Sequence, residues 1–379
     1  MRTIPRDGIP VAMVVFPPPP EDPKPPTGRT RHPFFMHEMI RRQVVAVRAT
    51  LGVLPVDASA IPAPPPGGRV LFVGIGTSYH AALGVNGMAR ARAAGRFTSE
   101  AVTAFDLLDD PDQLGGASAA IVFSASGETA VTNAALERMR VLKIPTTLVT
   151  TAKSSTAAGL ADHRLVTRYS EEASWTNTVS YTCALAAGLT LLEAWTPSAT
   201  PPAATAGAIE EALTHALAFE TRAVELVERL APAKNILIVG SGHAHATARE
   251  AALKFREASG RFAATGGVEE LLHGMIPSVT SDSAVLAVTG TPFECRRAQE
   301  GLKAAAQLGA TTLHIDSSGT SEGDDAWPLL PLPAPVAPIP QVAPLQLLAY
   351  WLAVSEGRNP DVMGLDDPRY LQARRSFGI

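Results

Sequence analysis

Two cysteines in 379 residues, Cys183 and Cys295, are too few for a disulfide framework or a cysteine-rich zinc site. Basic side chains do not outnumber acidic ones: 32 Lys and Arg against 36 Asp and Glu give a net charge of −4. No cationic excess exists to hold a phosphate backbone, so nucleic acid is not an expected partner. No apolar run reaches the ~20 residues of a membrane-spanning helix. The stretch Pro10–Phe16 runs straight into Pro17–Pro20 and is too short for a secretory core. These absences leave a soluble, cytoplasmic protein as the expectation. What is present is 46% hydrophobic residues, enough for sizeable cores and too much for wholesale disorder, in a length that suits two domains or one large one.

Proline is abundant, 32 residues in all, and it punctuates. Residues 1–33 form a proline-rich tail with no helical or strand period. Ala60–Gly68 (AIPAPPPGG) reads as a second linker, and Pro328–Pro340 precedes the last apolar helix. Between these marks, a helix is expected over about His37–Leu51 from its apolar spacing. A strand-turn-helix unit follows, Arg69–Gly74 (RVLFVG), Gly74–Ser78, then a helix to about Ala94. A second unit is Ala119–Phe123 (AAIVF), the loop Ser124–Thr129 (SASGET) and a helix to about Lys143; Thr146–Thr150 is a third buried strand. Strands alternating with helices predict a parallel sheet covered on both faces. The pattern repeats at Lys234–Gly240, Ala284–Thr289 and Thr311–Ile315, with Gly74 and Gly76 matched by Gly240 and Gly242 at one offset of 166 residues. The chain is thus read as two copies of an α/β sandwich joined by helical sequence around 183–229.

The glycine turns do not make a dinucleotide fingerprint, because Tyr79 and His245 stand where a third small residue is needed, and no G-K-[ST] follows. Ser124–Thr129 carries more information. Between a buried strand and a helix, unpaired N–H groups and the helix dipole favour an anion; three hydroxyls add donors, and Ser78 in the neighbouring loop can reach the same crevice. A phosphate monoester fits there without lysine or metal, and an ordinary helix cap by Ser126 fits as well. In the second copy, Glu250, Lys254 and Glu257 share one helix face, with Ala252 and Phe255 opposite. That face is either a proton-transfer group or a solvated salt-bridge stripe, and spacing alone favours the stripe. His273 follows in Glu269–Gly274 (EELLHG), a loop-like stretch.

Together these pieces resemble the sugar isomerase (SIS) family, in particular the isomerase half of glutamine–fructose-6-phosphate aminotransferase and the amino-sugar-phosphate deaminases. Gly76–His80 (GTSYH) is similar to the family's G-T-S-Y loop, Ser124–Thr129 to its S-x-S-G-E-T phosphate loop, and Glu250–Glu257 (EAALKFRE) to its E-x-A-L-K-x-K-E helix. The 16 residues from Glu257 to His273 and the string Pro344–Tyr350 (PLQLLAY) fit as well. The resemblance implies two SIS modules, each a parallel five-stranded sheet flanked by helices: a first over 34–229, a second over 230–356, and an active-site tail over 357–379. It implies a sugar phosphate held by Thr77, Ser78, Ser124, Ala125, Ser126, Thr129 and Trp175. Glu257 would move a proton between C1 and C2, supported by Lys254 and Glu250, and His273, supplied across a homodimer interface, would help open the sugar ring. It implies no metal and no other cofactor, and it reverses the preference for the salt-bridge stripe.

The chain also departs from the pattern. Ala125 replaces a glutamine in the phosphate loop. Thr176–Val179 replaces the family's A-S-T-K segment, so its lysine is missing, with Glu172 just upstream. Ala373 stands where a tail lysine is found; Arg374 would replace it only with a one-residue shift, and a guanidinium forms no Schiff base. The chain starts Met-Arg rather than with a catalytic cysteine, so glutamine is not the expected ammonia source. The expected activity is therefore isomerisation of a phosphorylated amino sugar with loss of ammonia. The alternatives are isomerisation alone, deglycation of a fructosamine phosphate, or a non-catalytic sugar-phosphate-binding regulator.

Overall fold

A computed structural model describes residues 28–196, 200–321 and 325–376. The proline-rich tail, save for residues 28–33, and the last three residues of the C-terminal segment lie outside the described residues. The first sheet holds β1 (Gly68–Gly74), β2 (Phe97–Thr103), β3 (Ala117–Phe123), β4 (Thr146–Thr150) and β5 (His163–Val166) in the order β2-β1-β3-β4-β5. The second holds β6 (Asn235–Gly240), β7 (Ala263–Gly266), β8 (Ser283–Thr289), β9 (Thr311–Asp316) and β10 (Ala326–Pro328) in the order β7-β6-β8-β9-β10. Every pairing is parallel, and the two orders are the same, so the repeat read from the glycine turns is a repeat of topology. Central strands such as Ala120–Phe123 and Ser283–Thr289 are buried throughout, as strands covered on both faces must be. In each sheet the chain order reverses between the first and third strands of its module, and a crevice opens there at the carboxyl ends.

The helix expected over His37–Leu51 runs from Phe35 to Ser59. Its start is held from the far end of the chain: the Asp361 carboxylate accepts the N–H groups of Phe35 (2.9 Å) and Met36 (2.7 Å), taking the place of an N-cap side chain. The connecting sequence forms three helices, Val179–Trp195, Pro202–Ala218 and Glu220–Leu230. The modules meet where the helices Thr77–Arg92, Val179–Trp195 and Ala244–Lys254 pack together. Small residues allow that approach: a Cβ on Gly84 would meet Leu185 and the Ala246 methyl, and one on Gly188 would run into Val85. The stretch Glu269–Gly274, read from sequence as loop-like, is helical instead. A turn at Val268–Glu270 passes into a wider one at Leu271–Met275, anchored by the fully buried Leu271, with the Glu270 carboxylate accepting the Gly267 N–H at 2.8 Å. No described helix is long and apolar enough to cross a membrane.

Candidate active site

Two helix N-termini face one cleft at the crevice of the first sheet. The strand β1 ends at Gly74, and the helix Thr77–Arg92 begins after Gly76, whose φ of +55° turns the chain sharply. The strand β3 ends at Phe123 and delivers the loop 124–129 to the helix Ala130–Val141. Within that loop the Ser124 hydroxyl accepts the Gly127 N–H (3.2 Å), and Ser126 accepts the Glu128 N–H (3.2 Å). Gly127 has φ +70°, and a Cβ there would collide with Ser155, so this position requires glycine. The Glu128 carboxylate is turned outward, accepting from Thr156 N (3.0 Å) and Thr156 Oγ1 (2.7 Å), and the Thr156 hydroxyl bond above all lowers its pKa. Ser126 does not cap the helix: the N-cap is Thr129, without a side-chain cap bond among the described residues, and the uncharged Ala130, Val131 and Thr132 form the first turn. The N-terminus of Thr77–Arg92 is uncapped in the same way. Two positive dipole ends without side-chain caps or first-turn acids therefore point at one volume, which is how proteins hold an anion without a cation.

That volume is a cleft of about 600 Å³. Thr77, Ser78, Ala125, Ser126 and Thr129 line one side, with Thr151; Glu172, Ser174, Trp175 and Asn177 line another; Glu257 and Met363 close it. The Trp175 backbone N–H donates to the Asp361 backbone carbonyl at 3.0 Å, fixing the chain there. Ser124 sits behind the loop, 4% exposed, beside a small void of about 20 Å³ rather than in the cleft.

The charged helix face is no solvated stripe. Glu250 and Lys254 are fully buried, and the Glu257 side chain is 15% exposed, reaching the cleft from the wider helical turn Phe255–Ser259. Lys254 Nζ lies 2.5 Å from Glu257 Oε2, 3.3 Å from Glu250 Oε1 and 3.1 Å from Thr77 Oγ1. His80 Nδ1 pairs with Glu250 Oε2 at 2.7 Å, and the Thr77 hydroxyl donates to Glu250 Oε1 at 3.2 Å. The first module thus supplies the partners that make this burial tolerable. Burial works to strip the Lys254 proton, yet Glu250 and Glu257 outweigh it and hold its pKa above the usual lysine value. Burial raises the Glu257 pKa, and Lys254 opposes it without cancelling it. Such a carboxylate is a stronger base than one in water, which suits removal of a weakly acidic C–H proton.

His273 is placed elsewhere. Its side chain is 76% exposed and lies 3.2 Å from Glu269, on the surface and away from the cleft lining of its own chain. Sequence reasoning missed His80, although it stands three residues after Thr77 on the same helix and so shares its face. It also gave no role to Glu172. Burial pushes the Glu172 carboxyl up to about 7, against hydrogen bonds from Ser180 and Thr178.

The matching crevice of the second sheet is closed. Its helix Pro292–Gln307 is capped by Thr291, whose hydroxyl accepts the Glu294 N–H (3.2 Å), and Glu294 stands in the first turn, accepting the Gly290 N–H at 2.9 Å. Beside it the Asp316 carboxylate accepts from Thr289 Oγ1 (2.7 Å), Ser318 N (3.0 Å), Ser318 Oγ (2.9 Å), Thr320 N (3.1 Å) and Ser321 N (3.0 Å). Those bonds prevail over burial and lower its pKa, keeping it ionised.

The family model described as SIS domain matches residues 66–194 and 229–355. The chain belongs to the SIS family. Among curated SIS relatives, glutamine–fructose-6-phosphate aminotransferase (isomerizing) of Zymomonas mobilis is 31% identical over 372 residues, covering 91% of this chain and 58% of the relative. The chain therefore spans somewhat over half the length of such relatives. The C-terminal domain of glucosamine-fructose-6-phosphate aminotransferase from Francisella tularensis superposes with a TM-score of 0.77 at 20% identity, covering 89% of this chain and 100% of that one. A glucosamine-6-phosphate deaminase from Thermotoga maritima gives 0.69 at 21% identity, covering 86% and 96%. At these identities the two structures establish the double-SIS fold.

Proposed function

We propose that this SIS protein is an isomerase-deaminase of a phosphorylated amino sugar, converting a glucosamine-6-phosphate-type substrate and water to fructose 6-phosphate and ammonia. The observation that carries the reading is a desolvated carboxylate, Glu257, in the same cleft as a phosphate-sized cradle with two uncapped helix N-termini. Ser78, Ser126 and Thr129 hold the phosphate, with Thr77 beside them; Ala125 contributes backbone and Ser124 fixes the loop from behind. Trp175 bounds the sugar. Glu257 takes the C2 proton of the open-chain aldose, the enolamine forms, and the proton returns to C1. Lys254 and Glu250 set the charge of Glu257 through the buried network. Water then adds to the resulting C2 imine and ammonia leaves. The likeness to glutamine–fructose-6-phosphate aminotransferase supports an amino sugar in particular.

The exposed position of His273 is consistent with service to a second copy rather than to its own chain. We therefore assign a homodimer in which each subunit lends this histidine to its partner's cleft; sedimentation should give twice the monomer mass, and a monomer would count against that assignment. The activity is tested with glucosamine 6-phosphate. Ammonia and fructose 6-phosphate should both appear, and Glu257→Gln should abolish both while sugar-phosphate binding persists. Binding of the hexosamine phosphates without turnover of any of them would instead support a regulator.

A further inference from the structure

Glu172 lines the cleft, and the isomerisation steps above give it no task. Its Oε1 accepts three hydrogen bonds, from Thr178 N (2.5 Å), Ser180 N (2.8 Å) and Ser180 Oγ (3.0 Å). Its Oε2 is shut off from solvent and has no partner among the described residues. An ionised carboxylate with one oxygen triply satisfied and the other bare and buried is an expensive arrangement. A neutral carboxyl is not: Oε1 serves as the carbonyl acceptor, and Oε2 carries the hydrogen, a donor waiting for a ligand. The surroundings agree. Burial raises this carboxyl toward neutrality against its hydrogen bonds and the Lys254 ammonium. Glu257 and Glu171 share the cleft wall with it, Glu250 stands behind Lys254, and the buried Cys183 thiol feels its charge from the neighbouring helix. Of these groups Lys254 alone favours the ionised form. Among the described lining residues no lysine, arginine or histidine faces the cleft, so the wall's acid–base groups are three carboxyls, Glu171, Glu172 and Glu257. Glu171 is exposed, Glu257, tied to Lys254, is the base, and Glu172 is the buried carboxyl left to act as an acid.

We propose that Glu172 is the general acid, and then the base, for breaking the C2–N bond, an inference that rests on the deaminase reading above. After water has added to the C2 imine, the carbinolamine carries a hydroxyl and an amino group on C2. A turn of the carboxyl brings Oε2, which is buried in the cleft wall, to the nitrogen; Glu172 gives its proton there as the C2–N bond breaks, and the bond's electron pair leaves with ammonia. The C2 hydroxyl forms the ketone and returns its proton to the Glu172 carboxylate, so the residue is regenerated and no co-reactant beyond water is consumed. Because the acid must be protonated, ammonia release should fall as pH rises through its pKa.

The experiment separates the two half-reactions. With glucosamine 6-phosphate in D₂O, NMR follows deuterium entering at C2, which reports Glu257, while a coupled assay follows ammonia. Glu172→Gln keeps the size and the Oε1 acceptor. It should lower ammonia release by about 100-fold or more, in the range of lost general acid catalysis, and leave C2 exchange within about threefold. Ammonia release by the wild type should decline above about pH 7, and the residual activity of Glu172→Gln should lack that decline. Equal loss of exchange and ammonia release would make Glu172 a structural residue and overturn the proposal. Wild-type protein that neither exchanges nor deaminates would overturn the deaminase reading first, and this step with it. A readout independent of turnover is the infrared carboxylic-acid C=O absorption at pH 6, which should be weaker in Glu172→Gln than in the wild type by the band of one carboxyl. No such difference between an active wild type and the variant would refute the neutral carboxyl by itself.

Discussion

Replacing Lys254 by methionine removes a fully buried cation and keeps most of the side-chain volume. The Nζ atom contacts Glu257 Oε2 at 2.5 Å, Glu250 Oε1 at 3.3 Å and Thr77 Oγ1 at 3.1 Å. Without it, Glu250, also fully buried, keeps the Thr77 hydroxyl and the His80 ring as partners of its two oxygens among the described residues. Removing one member of a buried ion pair costs about 3–5 kcal/mol, chiefly because the other charge is stranded. Urea unfolding of Lys254→Met at pH 7 should therefore show a loss of that order with an unchanged m-value. The double variant Lys254→Met/Glu250→Gln no longer strands the fully buried Glu250 charge and leaves only Glu257, which reaches the cleft, without its cation, so it should recover about 2 kcal/mol or more of the single variant's loss. A single-variant loss below about 1 kcal/mol, or a double variant no more stable than the single, would refute the claim that this cluster is one buried, mutually dependent unit. Burial would also raise the Glu257 pKa further once its cationic neighbour is gone, so residual C2 exchange should need a higher pH than in the wild type.

Two further outcomes concern the anion cradle. Ser126→Ala should weaken binding of phosphorylated sugars by about 10- to 100-fold, the value of a hydrogen bond to a charged group, and leave unphosphorylated sugars unaffected in calorimetric titration; equal weakening of both would sink the assignment. Gly127→Ala forces a side chain into the left-handed region and against Ser155, so the loop must shift at a cost of about 1–3 kcal/mol, and sugar-phosphate affinity should drop accordingly. Affinity within twofold of the wild type would show that the loop does not set the site.

The strands legible in the sequence are the central ones. RVLFVG, AAIVF, ILIVG and AVLAVT are apolar runs because helices cover both of their faces. The strands that escaped reading, β2 (FTSEAVT), β5 (HRLV), β7 (AATG) and β10 (AWP), are the four sheet edges; they are short or half-exposed, and their composition does not separate them from loop. The cleft shows the same divide. Local motifs identified the cradle and the charged helix face, whereas the burial that gives that face its chemistry comes from His80 and Thr77, some 170 residues away in sequence. No periodicity within one helix can announce a partner on another. Glu172 escaped for a related reason, since what singles it out is an oxygen left without a donor, a property of the folded surroundings and not of the residue type.

The Asp316 carboxylate, held by five donors at the second crevice, has a bearing on stoichiometry. A duplicated sheet with the same strand order would by itself offer two equivalent anion cradles per chain. In the second copy the chain provides its own resident anion, and the helix end beside it already carries Glu294. A free phosphate arriving there would meet two carboxylates where the first crevice offers two helix N-termini without side-chain caps or first-turn acids. On the proposed reading the two halves divide the labour: each chain should take up one sugar phosphate, and the copy whose crevice holds its own anion is the one that lends its helix to the chemistry.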